Sequence, residues 1–104
     1  MIMIDYIRNL LIEEIFILSR HAFKRTIERS ISIVDITEAG SNAEIIEEYP
    51  DDKYSPGCLV LGFTKNNRPL HIQLSDYTSK LLKIITVYEP DLMNWENDYR
   101  SRRK

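Results

Sequence analysis

His21, Arg25 and Arg29 are the residues of this chain whose types and spacing most directly suggest chemistry. They stand four apart. On a helix, residues four apart stack on one face, so an imidazole and two guanidiniums project as one row. Lys24 lies beside that row, three residues from His21. A titratable ring next to two planar forks is a grip for a phosphate with a proton-transfer group at hand. The same row is also what a solvated helix face looks like. Ala22, Phe23 and Ile27 occupy other parts of the wheel and are expected to pack.

The second histidine, His71, lies between Leu70 and Ile72 in an alternating run that predicts a strand able to cross beneath the basic helix. Thr86 falls in another predicted strand, where it could hold a phosphate oxygen or orient a ring. Tyr88 shares its strand face and could stack on a base. Each residue has a plainer role open to it. His21 can bond backbone or a carboxylate, and His71 can face the solvent side of a sheet. The arginines can pair with acidic residues 44–52, and Thr86 and Tyr88 suit a strand on propensity alone.

Other chemistries find little support. With two histidines and one cysteine, there is no zinc-ligand spacing. Glycines at 40, 57 and 62 form no phosphate-cradling loop. No metal and no cofactor is expected. A Cys58–His71 nucleophile pair has no supporting motif. Cys58 is expected to be a buried small hydrophobe in a reduced cytosol. No signal peptide is evident and no apolar run approaches the ~20 residues that span a bilayer, so the expected compartment is cytoplasmic, with no membrane partner.

The elements that must position these residues follow from period and punctuation. At 104 residues, 43% hydrophobic and 29% charged, the chain reads as one domain. Residues 1–16 form an extra N-terminal helix, 17–95 the core helices and sheet, and 96–104 a basic tail. The apolar run Phe16-Ile17-Leu18 is expected to be extended. Ser19 is the natural N-cap of the basic helix, which runs to about Arg29. Ser32 with Asp35 predicts a capped third helix ending near Gly40 as its C-cap. From Ala43 the period changes to four strands: 44–49, 58–63, 69–74 and 81–88. Asn66-Asn67 tolerates the positive φ that a hairpin turn needs, and Pro90 stops the last strand. Residues 75–79 are a further turn. The predicted class is α+β, with helices followed by a four-stranded antiparallel meander. Trp95 would anchor the tail by packing, and the last five residues would be disordered.

The formal net charge is -2, which weighs against generic nucleic-acid binding, but the charge is segregated. Residues 20–29 carry four basic side chains and one acidic. Residues 35–52 carry seven acidic and none basic, and residues 100–104 carry four basic. Local fields rather than the sum would steer a charged ligand.

His21-Ala-Phe-Lys-Arg25 with Arg29 and Ile31-Ser32 resembles the signature of domain-of-unknown-function family 4258. So do Ile45-Ile46-Glu47-Glu48-Tyr49-Pro50, Arg68-Pro69-Leu70-His71 and Ile85-Thr86-Val87-Tyr88-Glu89-Pro90, in that order. The resemblance covers roughly residues 17–100. It implies a place among the RelE/barnase-like small ribonuclease folds, many of which are toxins of toxin–antitoxin pairs that cut RNA without a metal. By that resemblance His21, Arg25, Arg29, His71 and Thr86 would be catalytic; Lys24, beside the row, and Tyr88, a ring able to stack, are the substrate-binding candidates from the residues themselves. RNA and a cognate antitoxin would be the partners. The alternative is a non-catalytic interaction domain on the same fold that presents acidic residues 35–52 to a basic partner.

Overall fold

A computed structural model describes residues 4–50, 56–75 and 80–104. The elements run α1 (Ile4–Ile12), β1 (Phe16–Leu18), α2 (Arg20–Glu28), α3 (Ile33–Ser41), β2 (Glu44–Tyr49), β3 (Gly57–Phe63), β4 (Pro69–Ser75) and β5 (Leu82–Tyr88). The expected turn at 75–79 lies largely outside the described residues. The α+β class holds, but the sheet differs from the expected meander. It has five strands in the order β1-β5-β4-β3-β2, with β1 parallel to β5 and the other pairs antiparallel. Periodicity gives Phe16–Leu18 an extended backbone; it does not say which unpaired strand edge will take it.

The helices start where capping chemistry places them. Ser19 Oγ accepts from the Ala22 N–H, and Ser32 with Asp35 forms a complete capping box. Gly40 is not the C-cap of α3. The helix continues to Ser41 and is capped by Asn42. Gly40 is needed instead for a close approach, because a Cβ there would lie 2.5 Å from the Cβ of Leu11 on α1. The chain reverses after the Thr64–Arg68 turn, where Asn67 has φ 64°, the left-handed value its side chain tolerates.

The sheet has two covered faces. On one, Cys58, Val60, Leu70, Ile72, Leu74, Leu82, Ile84 and Val87 form the core with Ile7, Leu10 and Leu11 of α1, Ala22 of α2, and Ile36 and Ala39 of α3. Each such aliphatic side chain contributes on the order of 1.5–3 kcal/mol by leaving water. Residues 91–104 cover part of the other face. They fold back on themselves through a bridge between Trp95 and Arg102 and through hydrogen bonds from Glu96 N to Ser101 O and Arg103 N to Asn94 O. The end of the chain, expected to be disordered, is thus a structured strap.

Two register irregularities decide which side chains meet the strap. One falls between Ile45 and Glu47 and turns both Glu44 and Glu47 to the strap side. The other falls opposite Gln73 and Leu74, so that Ile84 and Val87 face the core while Thr86 and Tyr88 face the strap. The residues in register across this face are Glu47, Leu59, Gln73 and Thr86 in one row, and Leu61, His71 and Tyr88 in the next.

Candidate functional site

Helix α2 lies along β5 where β1 ends. Ser19 N donates to the Ile84 carbonyl and Ser19 Oγ to the Ile85 carbonyl, and Arg29 Nη1 donates to the Val87 carbonyl at 2.9 Å. Side chains of the helix thereby satisfy strand carbonyls that would otherwise form a bare sheet edge. The seam that packs is Ala22 and Thr26, both small and four apart. Phe23 and Ile27, expected to pack, are exposed, because the narrow seam brings the helix close at 22 and 26 and leaves 23 and 27 on the flank.

The predicted row divides. Arg29 sits at the end of the helix with its guanidinium carbon 6.0 Å from the centre of the Tyr88 ring, within cation–π range. Arg25 pairs with Glu28 at 2.5 Å, rather than with the acidic strand, and its buried Nε has no partner. His21 and Lys24 are exposed on the outer face of α2, and no hydrogen bond or ring contact among the described residues joins His21 to His71.

His71 is not solvent-facing. It is fully buried between the sheet and the strap. Its Nδ1 meets the Tyr88 hydroxyl at 3.2 Å and its Nε2 the Tyr99 carbonyl oxygen at 2.7 Å. A carbonyl can only accept, so Nε2 carries the proton and bare Nδ1 accepts from Tyr88 O–H. The Trp95 ring stands edge-on to the imidazole at 4.4 Å, and the Tyr88 ring at 5.2 Å. Burial lowers the His71 pKa below its ordinary 6.5, against the opposing pull of the Tyr99 carbonyl and the Glu47 carboxylate. Burial likewise raises the Tyr88 phenol. The ring is therefore a neutral base with a defined tautomer. Thr86 lies one row away on the same sheet face, opposite Gln73.

Above Tyr88 opens a cleft of about 930 Å³. Arg29, Arg68, Arg102, Arg103 and Lys104 line it, against the acids Glu89 and Asp91. Not all of these charges are free. Arg68 is bound to the Arg29 and Ser30 carbonyls at 2.8 Å and ion-paired to Glu89, and so fixes the backbone that carries Arg29. Arg102 lies 4.6 Å over the Trp95 ring and makes a two-pronged contact with Glu47. Arg103 pairs with Glu96. Arg29 and Lys104 have no carboxylate partner among the described residues, and they present the cleft's available positive charge.

Sequence reading did not single out Arg68, Trp95, Tyr99 and Arg102 as parts of this site. The one signal was the complementarity of the acidic block 35–52 and the basic block 100–104, which the structure realises as Arg100–Glu44 and Arg102–Glu47. Cys58 is fully buried, and burial pushes its thiol up to about 12, so it is no nucleophile in the folded chain. Among the described residues, no group of three His, Cys, Asp or Glu side chains is arranged to hold a metal ion, and no helix is long and apolar enough to cross a membrane.

No curated protein and no solved structure shows significant similarity to the chain. A family described as a domain of unknown function does match, over residues 18–89, from the end of β1 to the residue after β5. The match takes in α2, Arg68, His71 and Tyr88 but neither α1 nor the strap, a narrower span than the expected 17–100. The chain therefore belongs to the DUF4258 family.

Proposed function

We propose that this protein is a metal-independent endoribonuclease of the RelE/barnase-like kind, acting as the toxin of a toxin–antitoxin pair. One observation carries the reading: the Arg29 guanidinium beside Tyr88 in the lining of a cleft, with the Tyr88 hydroxyl bonded to the neutral His71 buried behind it. Metal-free cleavage of RNA needs a base for the 2′-OH, a cation for the phosphorane and a proton for the leaving 5′ oxygen. Tyr88 Oη takes the 2′-OH proton as it passes its own to His71 Nδ1. The 2′ oxygen then attacks phosphorus, and Arg29 faces the charge that builds on the phosphoryl oxygens. Water in the cleft protonates the 5′ oxygen as it leaves, the hydroxide so formed takes the extra proton back from the Tyr88–His71 pair, and the product end is a 2′,3′-cyclic phosphate. Lys104 adds charge to the cleft lining. Of the residues first considered, Arg29, His71 and Tyr88 have the central roles. Thr86 holds a phosphate oxygen on the same sheet face, while His21, Lys24 and Arg25 guide the RNA backbone along the helix.

The test is RNA cleavage by purified protein in the presence of a chelator, wild type against Arg29→Ala. Wild-type cleavage should survive the chelator and fall about a hundredfold or more in the variant, the usual cost of losing one transition-state donor, with stability lowered only by the lost Arg29–Val87 hydrogen bond, about 0.5–1.5 kcal/mol. Inactivity of the wild type on every RNA, ribosome-bound message included, would refute the reading.

A second reading draws on one feature. Glu44 and Glu47 on β2 already hold two arginine side chains. A non-catalytic domain could use the same acidic strand to dock a basic partner, which would compete with the chain's own strap.

A further inference from the structure

His71 has no free nitrogen in this conformation. One is bonded to Tyr88 and the other to the strap. The Nδ1 bond to Tyr88 is the one the relay uses, but the ring itself is fully buried beneath the strap, so the sheet face around it is closed in this structure.

The strap is built to leave as a unit. Its own hydrogen bonds hold its shape: Trp95 N to Asp91 O at 3.0 Å, Tyr99 N to Glu96 O at 2.9 Å and Arg103 N to Asn94 O at 2.9 Å. Among the described residues, no backbone–backbone hydrogen bond joins 91–104 to the sheet. The attachment is made by side chains: the Arg100 fork on Glu44, the Arg102 fork on Glu47 with a contact to Tyr49, the Tyr99 ring edge-on to Phe63, the Trp95 ring on His71 and the His71 Nε2–H on the Tyr99 carbonyl. Tyr99, whose carbonyl closes that last contact, has φ 62°, a left-handed value that a side chain of its shape rarely adopts. The Arg100–Glu44 pair is open to solvent, where it contributes little, while Glu47 of the other pair is partly buried. The family match also ends at Glu89, before the strap begins.

We propose that residues 91–104 are a displaceable autoinhibitory strap, and that the face beneath it, centred on His71 and Tyr88, is a single-stranded RNA site whose base position Trp95 fills in the closed state. The strap mimics in part what it excludes: an aromatic ring stands against the imidazole and a carbonyl oxygen accepts from its Nε2–H, as the ring and carbonyl of a base could in their place. The inference rests on the ribonuclease reading only in naming the occupant of the opened face.

The two histidines provide the assay, because His21 is exposed and His71 is not. Diethyl pyrocarbonate should modify His21 at once and His71 only as fast as the strap opens, with the sites resolved by mass spectrometry. Arg100→Ala and Glu44→Gln each break one latch outside the catalytic groups. Each should speed His71 modification about two- to fivefold, the equilibrium shift expected of a surface pair, and leave His21 unchanged. The double variant should equal either single one. Affinity for a labelled ten-nucleotide single-stranded RNA should tighten by the same factor, since apparent affinity scales with the open fraction. Unchanged His71 modification in both variants would overturn the proposal, as would modification that rises only in step with hydrogen exchange of the β3 amides. Faster modification with unchanged RNA affinity would overturn the inhibitory role. Faster modification with no RNA binding by any form would support the moving strap and overturn the ribonuclease reading instead.

Discussion

Replacing Tyr88 by Phe separates structure from chemistry at the centre of the site. The change removes one oxygen and keeps the ring, so the edge contact with His71 at 5.2 Å and the Arg29 guanidinium at 6.0 Å are retained. What is lost is the donor to Nδ1 at 3.2 Å. A buried acceptor left without its donor costs about 1–3 kcal/mol. The existing contact is long, so the low end of that range, about 1–1.5 kcal/mol, is expected. In a domain of this size that is a fall of very roughly 4–10 °C in Tm. A protein with several kcal/mol of stability remains overwhelmingly folded after such a loss. The catalytic cost is of another order. Without the hydroxyl the 2′-OH proton has no path to His71, and removal of a general base costs about 10²–10⁴ in rate, or roughly 2.7–5.5 kcal/mol at 1.36 per decade. Chelator-treated RNA cleavage, measured beside urea unfolding of the same preparation, reads both numbers. Folded Tyr88→Phe protein cleaving RNA at the wild-type rate would refute the relay.

Two further outcomes test the fold and the strap. Gly62→Ala should cost about 3 kcal/mol or more, because the new Cβ would lie 2.0 Å from the Ala39 carbonyl oxygen and two backbones would have to part; a urea midpoint within experimental scatter of wild type would contradict this packing. Strap closure should weaken on acidification in two stages, read by the fluorescence of Trp95, the single tryptophan. His71 has a lowered pKa when covered, so closure is fully favourable above about 6.5 and declines as pH falls from there toward the ring's own lower value. Arginine contacts lower the pKa values of Glu44 and Glu47 below 4.5, so their contribution is present above that value and is lost below it. A signal flat from pH 7 to 5 would remove His71 from the latch.

What the sequence disclosed, and what it hid, follows one division. Features set by neighbours in the chain were legible. Ser19 and the Ser32–Asp35 box cap their helices, Asn67 turns the hairpin, Cys58 is buried, and Trp95 packs the tail. Features set by distant pairing were not. The partner of Phe16–Leu18 is the open edge of β5, 66 residues on. The bulge in β5 could not be seen in Leu82-Lys83-Ile84-Ile85-Thr86-Val87, where strict alternation would put Thr86 on the side of Ile84. The site was half legible for the same reason. Residue type marked Arg29, His71 and Tyr88, but only the register sets His71 beside Tyr88, and only the end of α2 brings Arg29 over them. His21 shares a helix row with Arg29 yet contributes nothing to the cleft, because a helix gives its residues a common face without giving them a common neighbour.

The net charge of -2 illustrates the same point in electrostatics. Read as a sum, it argues against a polyanionic ligand. The fold spends the acids locally: Glu28 on Arg25, Glu44 on Arg100, Glu47 on Arg102 and Glu96 on Arg103. Each pair is nearly neutral at a distance beyond about 10 Å in physiological salt. Outside these pairs the cleft lining keeps the cations Arg29 and Lys104 and the acid Asp91, while Arg68 is held by both Glu89 and Asp35. An anion approaching the cleft therefore meets two cations in no ion pair rather than the average of a weakly negative body. Opening the strap would free Arg100 and Arg102 from Glu44 and Glu47 and uncover His71 in the same motion, and it would bare both carboxylates on that sheet face. A latch made of arginine forks is therefore weakened by salt, where a purely apolar cover is not.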